Sequence, residues 1–125
     1  MYRESRDNER VQRKQAVAVW PYFEADPTLL EQPVQATLFD ASKDGLCFEA
    51  EIELAKDRRV SVRMEVESVN TIGSNKTEFI TDAIVRWTKP LGNNRFRTGV
   101  EFDALPKVQR EKWTTFMGKW RTRLF

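Results

Sequence analysis

A six-stranded antiparallel β-barrel with one C-terminal α-helix packed on it is the architecture this 125-residue chain predicts. Three observations carry that reading. Apolar and polar residues alternate with period two in two short runs and less regularly in four more, as strands with one buried face require. Polar segments of hairpin length, bearing Gly, Pro, Asn and Asp, separate the runs and favour antiparallel neighbours in a closed sheet. After residue 105 the apolar period lengthens to that of a helix.

The first run is QAVAVWPYF at 15–23, followed by the turn signal EADPTLLEQP. The second, VQATLF at 34–39, ends at the hexapeptide DASKDG. In the third, Leu46, Phe48, Ala50, Ile52 and Leu54 alternate with Cys47, Glu49, Glu51 and Glu53, so one strand over 46–54 is expected. After AKDRR comes the fourth, in which Val60, Val62, Met64 and Val66 alternate with Ser61, Arg63 and Glu65. NTIGSN precedes TEFITDAIVRW at 77–87, and KPLGNN precedes RFRTGVEF at 95–102. Pro106 suits the first turn of a helix, where its missing N–H costs nothing. Val108, Trp113, Phe116, Met117, Trp120 and Leu124 then fall close to an i, i+3, i+4, i+7 stripe. A helix over 106–123 is expected, its aromatic stripe on the barrel and its lysines and arginines solvated. The expected organisation is a flexible arginine-rich arm at 1–14, a barrel at 15–105 and the helix segment at 106–125.

A chain of this length supports one core and one domain. It contains no histidine, which removes the commonest general base and the commonest metal ligand. With a single cysteine, Cys47, neither a zinc spacing nor a Cys-His or Ser-His pair can be built, and no disulfide framework exists. No catalytic residue and no metal site are expected, and the reading is against an enzyme. Cys47 shares a strand face with Glu49 and Glu51, which places it toward solvent, and nothing beside it would lower its pKa. No apolar stretch approaches the roughly 20 residues needed to cross a bilayer, and the N-terminal segment has no apolar run. A cytoplasmic protein without membrane insertion is expected. The net charge of +2 is unevenly spread: residues 1–14 carry +2, 15–106 carry −5 and 107–125 carry +5, so an anionic partner should meet the ends.

The hexapeptide DASKDG carries the strongest functional signal. Asp40 and Ser42 can hydrogen-bond backbone N–H groups nearby, and Gly45 can adopt a positive φ without steric cost, which suffices for a tight turn. Upstream, Arg3, Arg6, Arg10 and Arg13, with Lys14, stand immediately before the first strand. Downstream, AIVRW is followed after a short loop by RFRTGVEF.

This order of parts resembles the PilZ domain, a bacterial receptor module for cyclic di-GMP. Its pattern is an RxxxR segment before the first strand, a D/N-x-S-x-x-G turn between strands two and three, and a late strand ending in G-x-x-F. Asp40-Ala-Ser42-Lys-Asp-Gly45 matches the second motif and Gly99-Val-Glu-Phe102 the third, and the resemblance covers residues from about 6 to 103. The first motif admits two registers. The literal RxxxR is Arg6 to Arg10, four residues early; the usual position is Arg10-Val-Gln-Arg13-Lys14, with lysine in place of the second arginine. The resemblance implies a six-stranded barrel with a C-terminal helix and no catalysis. It implies cyclic di-GMP as ligand, with no other cofactor, held by Arg6, Arg10, Arg13, Lys14, Asp40, Ser42 and Gly45.

The chemistry agrees with that ligand. An arginine fork donates two parallel hydrogen bonds to the O6 and N7 of guanine or to a phosphate. Gly45 would let the backbone approach the ligand. Trp87 offers a flat contact to a base, or else packs in the core. Binding would order the arm over the barrel mouth and present a surface to a partner protein whose identity the sequence does not give. Two other readings stand beside this one. A PilZ-like adaptor would use its helix to meet a protein without nucleotide. A single-stranded nucleic-acid binder would use basic ends and aromatic strands, but the acidic middle of the chain opposes a nucleic-acid partner.

Overall fold

The computed structural model describes residues 14–67 and 76–124. Among them lie β1 (Ala16–Pro21), β2 (Val34–Ser42), β3 (Gly45–Ala50), β4 (Arg59–Glu67), β5 (Lys76–Gly92), β6 (Arg95–Phe102) and α1 (Lys107–Leu124). The strands form a closed antiparallel barrel in the order β1-β2-β3-β6-β5-β4. Closure follows from the alternation. Each strand has one apolar face, and rolling the sheet turns all of those faces onto a common core that includes Val17, Val62, Phe48, Phe79 and Val85.

α1 lies across one barrel end, where β2, β4 and β6 finish and β3 and β5 begin. Trp113, Phe116 and Trp120 are buried there, and Trp113 stacks on Phe79 with ring centroids 4.9 Å apart. Phe102 meets the same indole edge-on at 5.0 Å, and Phe116 continues the stack at 5.4 Å. Interleaved rings of this kind exclude water from the barrel end and add about 0.5–1.5 kcal/mol per pair beyond their buried area. The expected stripe is corrected at one residue. Val108 is 60% exposed, and its neighbour Gln109 turns inward instead, its Oε1 accepting from the Ile80 N–H at 3.0 Å. A backbone donor at the start of β5 needed a polar partner more than the barrel rim needed a valine.

Two strand boundaries also differ from expectation. β3 stops at Ala50, opposite Phe96 on β6, and the chain bends at Glu51 and Ile52. Ile52 is consequently exposed, although it continues the apolar alternation, whereas Leu54 returns to the core and its carbonyl accepts from Thr88 Oγ1 at 2.7 Å. β5 is longer than expected. Its pairing with β4 ends at Arg59↔Ile84, while its pairing with β6 continues to Gly92↔Arg95. The last residues of β5 therefore project with β6 as a two-stranded ribbon. Asn93 and Asn94 close it with φ of 54° and 61°, the left-handed pair that a two-residue hairpin turn requires.

Candidate functional site

Two bulges build the site. On β2, Leu38 pairs with Phe48 and Asp40 with Cys47, so Phe39 is an extra residue and the faces exchange beyond it. Leu38 and Ala41 are buried while Phe39 and Asp40 are exposed. On β5, Val85 pairs with Val100 and Trp87 with Gly99, leaving Arg86 as the extra residue. Strict alternation would put Trp87 inside with Val85; the bulge turns it outward, and it is 45% exposed. Trp87 is thus not a core residue.

The register then sets Asp40 opposite Cys47, Cys47 opposite Gly99, and Gly99 opposite Trp87. These four form one row across β2, β3, β6 and β5 on the outer surface. Glycine at 99 is a steric requirement. A Cβ there would overlap Cε2 and Nε1 of the Trp87 indole and lie 2.7 Å from Cζ2, so the ring rests on bare backbone. Above this row opens a cavity of about 320 Å³. It is lined by Asp40, Ala41, Ser42 and Asp44 from the β2–β3 hairpin, by Gly45, Leu46 and Cys47, and by Arg86, Trp87, Gly99, Val100 and Glu101.

The hairpin is clamped from both sides. Asp40 Oδ1 accepts from the Ala41 N–H at 2.8 Å, and Ser42 Oγ donates to the Gly45 carbonyl at 3.3 Å. The Asp44 carbonyl accepts from the Phe102 N–H at 2.8 Å. The Ser42 carbonyl accepts from the Trp113 indole N–H of α1, also at 2.8 Å. Ser42 Oγ and the second carboxylate oxygen of Asp40 are thereby held at a rigid rim.

Asp40, Ser42, Gly45 and Trp87, all anticipated from sequence, meet at this cavity. The reason for Gly45 is different from the expected one. Its φ is not in the left-handed region, and an added Cβ would overlap the Val100 carbonyl oxygen and lie 3.3 Å from Glu101 Cα. The missing side chain makes room for β6, beside the cavity that Gly45 also lines. Lys14 is exposed, just before β1. Arg6, Arg10 and Arg13, with the rest of the expected arm, lie outside the described residues. The Gln15 carbonyl, however, accepts from the Leu38 N–H at 2.8 Å, so the chain enters β1 beside Leu38 and Phe39, next to Asp40 in sequence.

Two further features of the site were not read from the sequence. Arg97 donates through Nε and Nη2 to Glu49 Oε2 at 3.0 and 2.6 Å, and its guanidinium lies 3.6 Å from the Phe39 ring centroid. Arg86 Nε donates to Glu101 Oε1 at 2.7 Å on the cavity rim. Cys47 lies on the outward face, as expected, but is half-buried in the cavity floor, and burial pushes its thiol up to about 11, with Arg97 opposing and Asp40 and Glu49 reinforcing. It is a neutral thiol at physiological pH. The Glu49–Arg97 contact is cross-strand, so only the β3–β6 register reveals it; the run Val85-Arg86-Trp87 was the available signal for Arg86.

The family model for the PilZ domain matches residues 4–118, and the chain belongs to that family. PilZ domains are binding modules associated with cyclic di-GMP reception and are not enzymes. No curated protein matches the chain. No helix among the described residues is long and apolar enough to cross a membrane.

Proposed function

We propose that this chain is a cyclic di-GMP receptor whose N-terminal arginines close over the cavity beside DASKDG. The observation that carries the reading is the outward row Asp40–Cys47–Gly99–Trp87, which puts the motif carboxylate and an exposed indole on opposite sides of one cavity. Asp40 and Ser42 offer acceptors to guanine N–H groups, and the indole offers a face on which a base stacks. At about 320 Å³ the cavity is near the lower end of the roughly 300–1,000 Å³ usual for small-molecule sites. A ligand with two guanines and two phosphates extends beyond it and needs cover from elsewhere. The arm supplies that cover, because β1 begins beside Phe39 and the arm precedes it. Ordering the arm costs conformational entropy, and the ordered arm makes a new surface for a protein partner. The proposed setting is the bacterial cytoplasm.

The adaptor reading draws on a specific observation: the cavity lining holds Asp40, Asp44 and Glu101 against Arg86 alone, an acidic balance that a dianion does not favour without the arm. Calorimetric titration with cyclic di-GMP, with GTP and cyclic GMP as controls, separates the two. Selective micromolar or tighter binding that Arg10→Ala abolishes supports the receptor. No heat and no thermal shift at saturating nucleotide makes the chain an adaptor.

A further inference from the structure

Arg86 is the cation of the cavity rim, and its surroundings give it a second use. It is the bulge residue of β5 and lines the cavity beside Trp87. Of its donors, Nε is engaged by Glu101 Oε1 at 2.7 Å, while Nη1 forms only a longer ion pair with Asp57 Oδ1 at 3.7 Å, beyond hydrogen-bond reach. Among the described residues its two Nη groups therefore have no hydrogen-bond partner. Arg97, the neighbouring guanidinium, is already occupied twice over, by Glu49 and by the Phe39 ring. Glu101 is itself a cavity residue, paired across the ladder with Gly45 of the motif.

An anion entering this cavity meets three carboxylates and one guanidinium. Its charge is unfavourable unless the guanidinium turns to it, and turning requires giving up Glu101 or sharing the fork with it. We infer that Arg86 contacts a phosphate of the bound cyclic dinucleotide and that Glu101 competes for it, so that the pair sets the affinity of the site. The inference rests on the nucleotide reading above. The exposed ion pair costs little to break, since such pairs are screened by water. A charge-assisted bond to phosphate through the planar fork is directional, and lysine does not reproduce it.

The test is a double-mutant cycle on the full chain, read by calorimetry with cyclic di-GMP, with thermal melts confirming that each variant folds. Arg86→Ala is expected to weaken binding about tenfold or more, and Arg86→Lys to recover part of that loss. Glu101→Gln is expected to tighten binding several-fold by releasing the guanidinium, and that gain should vanish in the Arg86→Ala background. An Arg86→Ala affinity within twofold of the parent overturns the inference while leaving the receptor reading intact. So does a Glu101→Gln gain that persists without Arg86, which makes Glu101 a simple source of repulsion. Absence of binding by the parent chain overturns both readings together.

Discussion

Replacing Gly45 by alanine discriminates between a glycine kept for a ligand and a glycine kept for the fold. In the structure the added methyl overlaps the Val100 carbonyl oxygen and stands 3.3 Å from both Val100 C and Glu101 Cα. All three atoms are backbone, so no side-chain rotation relieves the contact. β3 and β6 must separate by roughly 1 Å beyond the usual strand spacing of about 4.8 Å. The ladder pair Gly45↔Glu101 and the bond from the Phe102 N–H to the Asp44 carbonyl are the first to suffer. Two weakened backbone bonds at about 0.5–1.5 kcal/mol each, plus about 1–3 kcal/mol of overpacking, give a loss of about 2–6 kcal/mol. For a chain of this size that lowers Tm by roughly 8–24 °C. Urea unfolding followed by tryptophan fluorescence measures it, and Trp113, bonded to Ser42, sits beside the disturbed hairpin. A Gly45→Ala protein that melts within about 2 °C of the parent, yet loses nucleotide, refutes the packing argument and returns the glycine to the ligand.

Three other outcomes follow from the geometry. Trp113→Ala removes the buried ring that stacks on Phe79 and the donor to Ser42, and should cost about 3–5 kcal/mol in chemical denaturation. Trp87→Ala should leave stability within about 1 kcal/mol of the parent, because the ring is half exposed. The same change should weaken cyclic di-GMP binding by about 1–3 kcal/mol, read by titration. Cys47 keeps its proton to about 11 when folded against an ordinary value of 9.0. The folded state therefore binds more protons than the unfolded one between those pH values, and stability falls as pH rises through that window. Parallel melts of the parent and Cys47→Ala from pH 8 to 11 should show the alanine variant with the shallower decline.

The strands were legible because apolar and polar residues alternate over most of their length and their interior faces are apolar. What alternation cannot show is where it breaks. Reading on by twos from Val85 puts Trp87 in the core, and reading on from Leu38 puts Asp40 there. Single unpaired residues, Arg86 and Phe39, reverse both, and nothing local in the chain marks either as extra. The same limit in reverse extended β3 to Leu54, since an exposed Ile52 after a bend still satisfies the pattern. DASKDG was legible as the β2–β3 hairpin because its turn residues occur together in sequence, and that hairpin borders the cavity. The packing reason for its glycine was not legible, because the atoms that exclude a side chain belong to β6, far along the chain. Val108 failed for a different reason: an unpaired N–H on Ile80 outweighed a methyl-bearing side chain at the barrel rim.

The row across the site also fixes when, during folding, a cavity can first exist. Asp40 and Cys47 come together early, through a hairpin whose loop is only Lys43 and Asp44, and Trp87 and Gly99 likewise through the loop at Asn93 and Asn94. Joining the two halves needs β3 to find β6, a contact from residue 47 to residue 99 that must first overcome the entropy of the intervening loop. Each hairpin can form alone, but neither encloses any space. During synthesis, a chain halted anywhere between β3 and β6 holds DASKDG complete and has no cavity for it to border.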